Sequence, residues 1–193
     1  MAGTSCAIPA IGPAAEPLYT VTATVEGVPG KSVNVCNGVS ILMGGPPTGC
    51  SEGPQVVGLD LASVPGAHTY ENGVIESGLV RLVGIWGHGA LYLTSAPTEA
   101  SPKDRTPYPE CPQEPSDAAV PNPPPWAQSI FSDRALLKAH GIQILEFGVC
   151  QGSLFIVVYV ADRETVNFLA KRYAPAKVAG WMQPVPYPRR AGV

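Results

Sequence analysis

Ten of the chain's 22 prolines fall between Pro97 and Pro125, mixed with Ser, Glu, Asp and Lys and with almost no aliphatic residues. Proline fixes φ and donates no backbone hydrogen bond, so such a stretch favours extended polyproline conformations and acts as a semi-rigid spacer. The expected organisation is a flexible tail over 1–17, a first folded part over 18–96, a proline-rich linker over 97–126 and a second folded part over 127–193. Cys111 sits inside the linker, which suggests that this stretch is pinned rather than free.

The rest of the composition narrows the class. Hydrophobic residues make up 45% of the 193, enough for a real core. Charged residues are only 14%, with a net charge of -3. A chain so poor in charge has no electrostatic means of gripping a phosphate backbone, so nucleic acid is excluded as a partner. The longest apolar run, 154–161, is far short of the roughly 20 residues a membrane-crossing helix needs.

Over 20–26, apolar Val21, Ala23 and Val25 alternate with three threonines and Glu26. That is the period of a strand with one buried face. The stretch from Gly27 to Ser32 contains Gly30-Lys31-Ser32 and imitates a phosphate-binding loop. Its glycine spacing is wrong and a strand pattern follows instead of a helix, so it reads as a turn. Further strands are expected over 32–36, 39–43 and 56–61, with a hairpin at Asn37-Gly38. A last hairpin, 79–86 with 90–94, is expected around His88. Short strands at this density suggest a small barrel, OB-like, or a sandwich.

Beyond the linker, Ser132 is the expected N-cap of a helix carrying Leu136 and Leu137, with Gly141 as its stop. Strands over 142–150 and 153–160 form a hairpin. Asp162 caps a second helix running to Tyr173, and a strand over 178–182 ends an α-β-β-α-β unit. The fold class is therefore α+β.

Of the five cysteines, Cys36, Cys50, Cys111 and Cys150 lie in or beside elements or in the linker, and Cys6 lies in the tail. A Cys36–Cys50 bridge closes a 15-residue loop, and Cys111 with Cys150 ties the linker to the second part. Four cysteines allow three connectivities. Intervals of 13, 60 and 38 residues separate them, and the close pairs that zinc sites use are missing, so disulfides are the expected use and no metal or other cofactor is expected. Disulfides fit an oxidising, extracytoplasmic location. The N-terminal Met-Ala-Gly-Thr-Ser-Cys has neither a basic nor an apolar leader segment. The chain is then a mature exported protein, or a cytoplasmic one if Met1 is the true start. Cys6, after Ser5, is a weak candidate for lipidation.

No catalytic constellation stands out. His68, His88 and His140 are the only histidines. His88 reads as a hairpin-tip residue and His140 as a helix C-terminal one. Cys150 and His140 are the best thiol–base pair available, although a hairpin cysteine is more simply structural. Asp162 and Glu164 suit a helix N-terminus. Trp86, Trp126 and Trp181 read as packing residues or as the lining of a binding surface.

Cys36, then Pro46-Pro47-Thr48-Gly49-Cys50, then 56–60, followed by 80–86 and 91–94, resembles a group of exported actinobacterial proteins of no known activity. Residues 172–175, 178 and 184–185 resemble the ending of related C-terminal segments. The resemblance implies export, the first disulfide and a barrel-like first part, and it assigns no catalytic residue. The expected function is that of a non-enzymatic exported or cell-envelope interaction or accessory protein with protein partners. The alternatives are an extracytoplasmic hydrolase or thiol-redox enzyme and a small-ligand-binding protein.

Overall fold

Valine or alanine at every second position makes a strand of the first segment. In the computed structural model, which describes residues 16–36, 50, 53–110, 125–150 and 153–186, it is β1 (Leu18–Gly27). Val21, Ala23 and Val25 are at most 1% exposed and point into the main core. The opposite face departs from expectation: Thr22, Thr24 and Glu26 are buried as well. At Thr22 part of the proline-rich stretch lies back on the strand. The Thr106 amide donates to the Thr22 carbonyl at 3.0 Å, and the Thr22 amide donates to Thr106 Oγ1 at 2.7 Å.

The chain continues through β2 (Val33–Cys36), β3 (Gln55–Val57), β4 (His68–Thr69), β5 (Ile75–Glu76), β6 (Val80–Gly87), β7 (Ala90–Leu93) and β8 (Thr98–Glu99). Five of these strands close a barrel. β1 pairs β2, β2 pairs β3, β7 pairs β6 and β6 returns to β1, all antiparallel, while β3 and β7 are parallel. Val35, Val80, Leu82 and Leu91, all 0% exposed, fill its interior with the β1 valines. β4 and β5 form a small flap whose β5 pairs with the end of β1, and β8 pairs with β6.

Local chemistry sets the turns. Lys31 donates to the Val28 carbonyl at 2.9 Å with Gly30 at φ +78°, the placement a Pro-Gly type II turn requires, so the Gly-Lys-Ser segment is a hairpin turn as read. His88 and Gly89 both have positive φ, 51° and 76°, as the primed turn of a tight β6–β7 hairpin demands. The strand expected to continue through 56–61 stops at Val57. Gly58 then turns at φ +86°, and Asp60 caps a single 3-10 turn, accepting from the Ala62 amide at 3.2 Å. The expected strand over 39–43, the Asn37-Gly38 hairpin and the tail over 1–15 lie outside the described residues.

The second part comprises α1 (Pro125–Ser132), α2 (Arg134–Ala139), β9 (Ile144–Cys150), β10 (Ser153–Val158), α3 (Arg163–Arg172), β11 (Ala176–Gly180) and β12 (Gln183–Pro184). Ser132 is not an N-cap. It ends α1, its hydroxyl donating to the Gln128 carbonyl at 2.9 Å, and α2 starts after Asp133. Gly141, at φ +68°, ends α2, and the Asp162 carboxylate accepts from the Thr165 amide at 2.7 Å to start α3. β10 lies between antiparallel β9 and parallel β11. Leu154, Ile156 and Val158 pack with Leu137 and Leu169 in a second core.

This second part and the barrel share side chains and backbone bonds. The strand expected over 178–182 covers 176–180, as β11, and the residues after it leave its sheet: Trp181 and Met182, each 2% exposed, join Tyr159 and Val160 in the barrel's core cluster. The Trp181 indole donates to the Thr106 carbonyl at 3.3 Å, and β12 pairs with β1.

Candidate functional site

Two of the three histidines converge. His88, at the β6–β7 tip, and His140, at the C-cap of α2, line a cleft of about 380 Å³ together with Trp86, Asp162, Glu164 and Phe168. Gly141, in the left-handed conformation at φ +68°, turns the chain beside this hairpin, its Cβ position in van der Waals range of the Gly89 amide at 3.7 Å. The His140 ring lies 4.3 Å from that of Phe168. Asp162 is committed to its cap, while Glu164 stands in the first turn of α3, where the helix dipole favours negative charge. The cleft therefore offers carboxylates, imidazoles and aromatic faces. Thr165 is the one hydroxyl side chain among its described lining residues.

His68 is elsewhere, edge-on to Tyr70 with ring centres 4.8 Å apart. Trp86 lies 6.2 Å from Tyr159 at the cleft, Trp181 is core, and the Trp126 side chain is outside the described residues. Cys150 carries no free thiol. It is disulfide-bonded, with its partner outside the described residues, as are Cys6 and Cys111, so pairing it with His140 yields no nucleophile.

A second constellation lies at the far end of β1. Cys36 and Cys50 form a disulfide with Cα atoms 5.6 Å apart, and both sulfurs lie near the Asn34 carbonyl oxygen, at 3.9 and 3.6 Å. Glu26 sits against this bond. A carboxylate oxygen of Glu26 and the two sulfurs all lie within 4.8 Å of one another. Sulfurs bonded to each other are not the thiolates a metal ion takes, so the group is not a metal centre in this state. Glu26 is 1% exposed, and among the described residues its Oε2 has no hydrogen-bond partner. Burial pushes its carboxyl above the ordinary range, the charge of Glu76 adds to this, and a hydrogen bond from the Cys50 amide opposes it. The sequence hides this residue because Glu26 occupies the polar phase of an alternating strand, where solvent is the ordinary surrounding. Its burial depends on Glu76 and Cys50, both distant along the chain.

Among the described residues no helix is long and apolar enough to cross a membrane. Compared with protein-family models, curated proteins and solved structures, the chain matches none.

Proposed function

We propose that the chain is a non-enzymatic binding protein of an oxidising, extracytoplasmic compartment, secreted or held at the cell envelope, whose partner is another protein there. The observation that carries this reading is that every described cysteine, Cys36, Cys50 and Cys150, is in a disulfide. Disulfides persist in such compartments and are uncommon in reducing ones. The same bonding removes the thiol on which the best enzymatic alternative depends.

The architecture suits recognition. A strand order of β1-β2-β3-β7-β6 with a parallel β3–β7 pair supports an OB-type barrel, a scaffold that recurs in binding proteins. The junction cleft supplies the chemistry: Trp86 and Phe168 present aromatic faces beside Glu164, a combination that suits a Lys or Arg side chain of a partner.

Two measurements test this. Intact mass of the protein from its native host, with and without reductant before alkylation, should show four cysteines blocked until reduction. Five free thiols would overturn the extracytoplasmic reading. A pull-down from envelope extracts should recover a reproducible partner, with recovery reduced by Trp86→Ala and reversed charge at Glu164→Lys. No partner, or a partner indifferent to both substitutions, would overturn the binding role of the cleft.

A further inference from the structure

The Cys36–Cys50 bridge differs from a purely structural staple in its surroundings. Its two cysteines are unequally accessible: Cys36 is 1% exposed, while Cys50 is half-buried. An incoming thiolate therefore reaches Cys50 and leaves the electron pair on the sulfur least able to hold it, because a thiolate at Cys36 would form in the interior without water. A carboxyl group stands within 4.8 Å of both sulfurs, almost wholly buried and with one oxygen unpartnered. A buried polar atom without a partner has to be accounted for, and a proton donor aimed at a nascent buried thiolate accounts for this one.

We propose that Cys36–Cys50 is an exchangeable disulfide opened by an extracytoplasmic protein dithiol, with Glu26 as the acid that protonates the departing Cys36 sulfur. A thiolate of the dithiol attacks Cys50 Sγ. The bond from the dithiol sulfur to Cys50 forms, the Cys36–Cys50 bond breaks, and Cys36 Sγ takes the proton of the Glu26 carboxyl. The second thiol of the reductant, as thiolate, then attacks the reductant's own sulfur in the mixed disulfide. That closes the reductant's disulfide and releases Cys50, which takes a proton from solvent. Two electrons pass from dithiol to protein, the dithiol is oxidised and the protein disulfide is reduced. Glu26 regains its proton from solvent.

The groups around Glu26 favour the acid form that this step needs. On β5, Glu76 is its direct register partner, and Glu76 accepts from the Tyr70 hydroxyl at 2.6 Å. His68 of β4 is the register partner of Glu76 on its other side. On β2, Asn34 is opposite Glu26, and the Cys50 amide is its hydrogen-bond donor. Apart from His68 this set holds no basic side chain, and burial together with the neighbouring carboxylate raises the Glu26 carboxyl.

The test uses the full oxidised chain and dithiothreitol as the dithiol. Timed samples are alkylated and mapped by mass, so that opening of Cys36–Cys50 and of the Cys150 disulfide are followed in one tube, from pH 4.5 to 8, with rates referred to the thiolate present. Cys36–Cys50 should open first. Glu26→Gln should slow its opening about tenfold or more while leaving the Cys150 rate unchanged, in keeping with the loss of a general acid. Glu76→Gln, which keeps the acid and removes the neighbouring charge, should move the pH profile of opening to lower pH. A Glu26→Gln protein that opens at the wild-type rate, or a Cys150 bond that opens first, would overturn the proposal. If Glu26→Gln fails to fold, an unmoved profile in Glu76→Gln overturns it instead.

Discussion

Glu26 and Glu76 lie directly opposite one another across the antiparallel β1–β5 pair, and of the two only Glu76 receives a side-chain hydrogen bond, from Tyr70 at 2.6 Å. Like charges at such a position destabilise the pair if both are ionised. Of the two, Glu26 is the one whose carboxyl is raised above its usual value of 4.5, first by burial and then by Glu76. A raised folded-state pKa means that the folded protein binds the proton more tightly. The resulting stabilisation is complete below the unfolded value and is lost as pH rises through the folded one. The urea midpoint should fall on going upward from about pH 4.5, with a slope of at most about 1.4 kcal/mol per pH unit. Glu26→Gln should flatten that slope, and an identical slope in the variant would show that another group is responsible.

Asp133 should set the acid limb of the same profile. It accepts from Arg172 Nε at 2.8 Å, from Arg172 Nη2 at 2.9 Å and from the Tyr173 hydroxyl at 2.7 Å. The Arg172 hydrogen bonds, followed by that of Tyr173, hold its carboxyl below the ordinary value of 3.8. Its contribution is thus present above that value and lost as pH falls through the lowered one. Asp133→Asn should reduce the loss of stability below about pH 4, followed by urea unfolding. A variant as acid-sensitive as the wild type would remove Asp133 from the account.

Removing the bridge measures what it contributes in the closed state. Closing a 15-residue loop in the unfolded chain corresponds to about 3 kcal/mol in the chain-entropy model. Cys36→Ser with Cys50→Ser, unfolded in urea without reductant, should lose about that much. A loss near zero would mean that the unfolded chain is already restrained over 36–50.

How much of this was open to a reader of the sequence depends on how local its causes are. The β1 alternation, the Asp162 cap, the Gly141 stop and the His88 hairpin each rest on residues within a few positions, and each is legible. Ser132 misleads because Asp133 adjoins it, and what fixes that region is Asp133 reaching Arg172 and Tyr173, 39 and 40 positions on. The prolines argue against ladder formation, yet composition gives no hint that Thr106 would dock on Thr22, 84 positions away. Trp181 and Met182 continue a strand-like run, but their bulk fills the barrel-side core instead. The cleft is hidden for the same reason: His88 in the β6–β7 turn and His140 at the end of α2, 52 positions apart, come together only in the fold.

Trp181 should be the costliest single truncation in the second part. It is 2% exposed, packs 6.0 Å from the Tyr159 ring and donates to Thr106, so it touches the barrel core, β10's extension and the proline-rich stretch at once. Trp181→Ala should cost about 3–5 kcal/mol. Trp181→Phe keeps most of the packing but leaves the Thr106 carbonyl without its indole donor, so it should cost less. Chemical denaturation followed by circular dichroism compares them, and equal costs would mean that the packing of the ring is immaterial.

Gly84 marks where the barrel tolerates no side chain. On β6 it pairs with Tyr19 of β1 on one side and Leu93 of β7 on the other. A Cβ at this position would collide with the Tyr92 carbonyl oxygen, lie 2.8 Å from that carbonyl's carbon and sit 3.1 Å from Leu91 Cδ1. Most of the obstruction is backbone, so relief requires β6 and β7 to separate at a seam the closed barrel needs. Gly84→Ala should therefore cost at least the 1–3 kcal/mol typical of overpacking, and Gly84→Val should cost more. Gly148 on β9 is the control, since a Cβ there meets nothing within 4 Å among the described residues. Gly148→Ala should be neutral or slightly stabilising by restricting the unfolded chain. Thermal melts of the three variants decide it: if Gly84→Ala melts with Gly148→Ala, the β6–β7 seam has slack that this close approach denies.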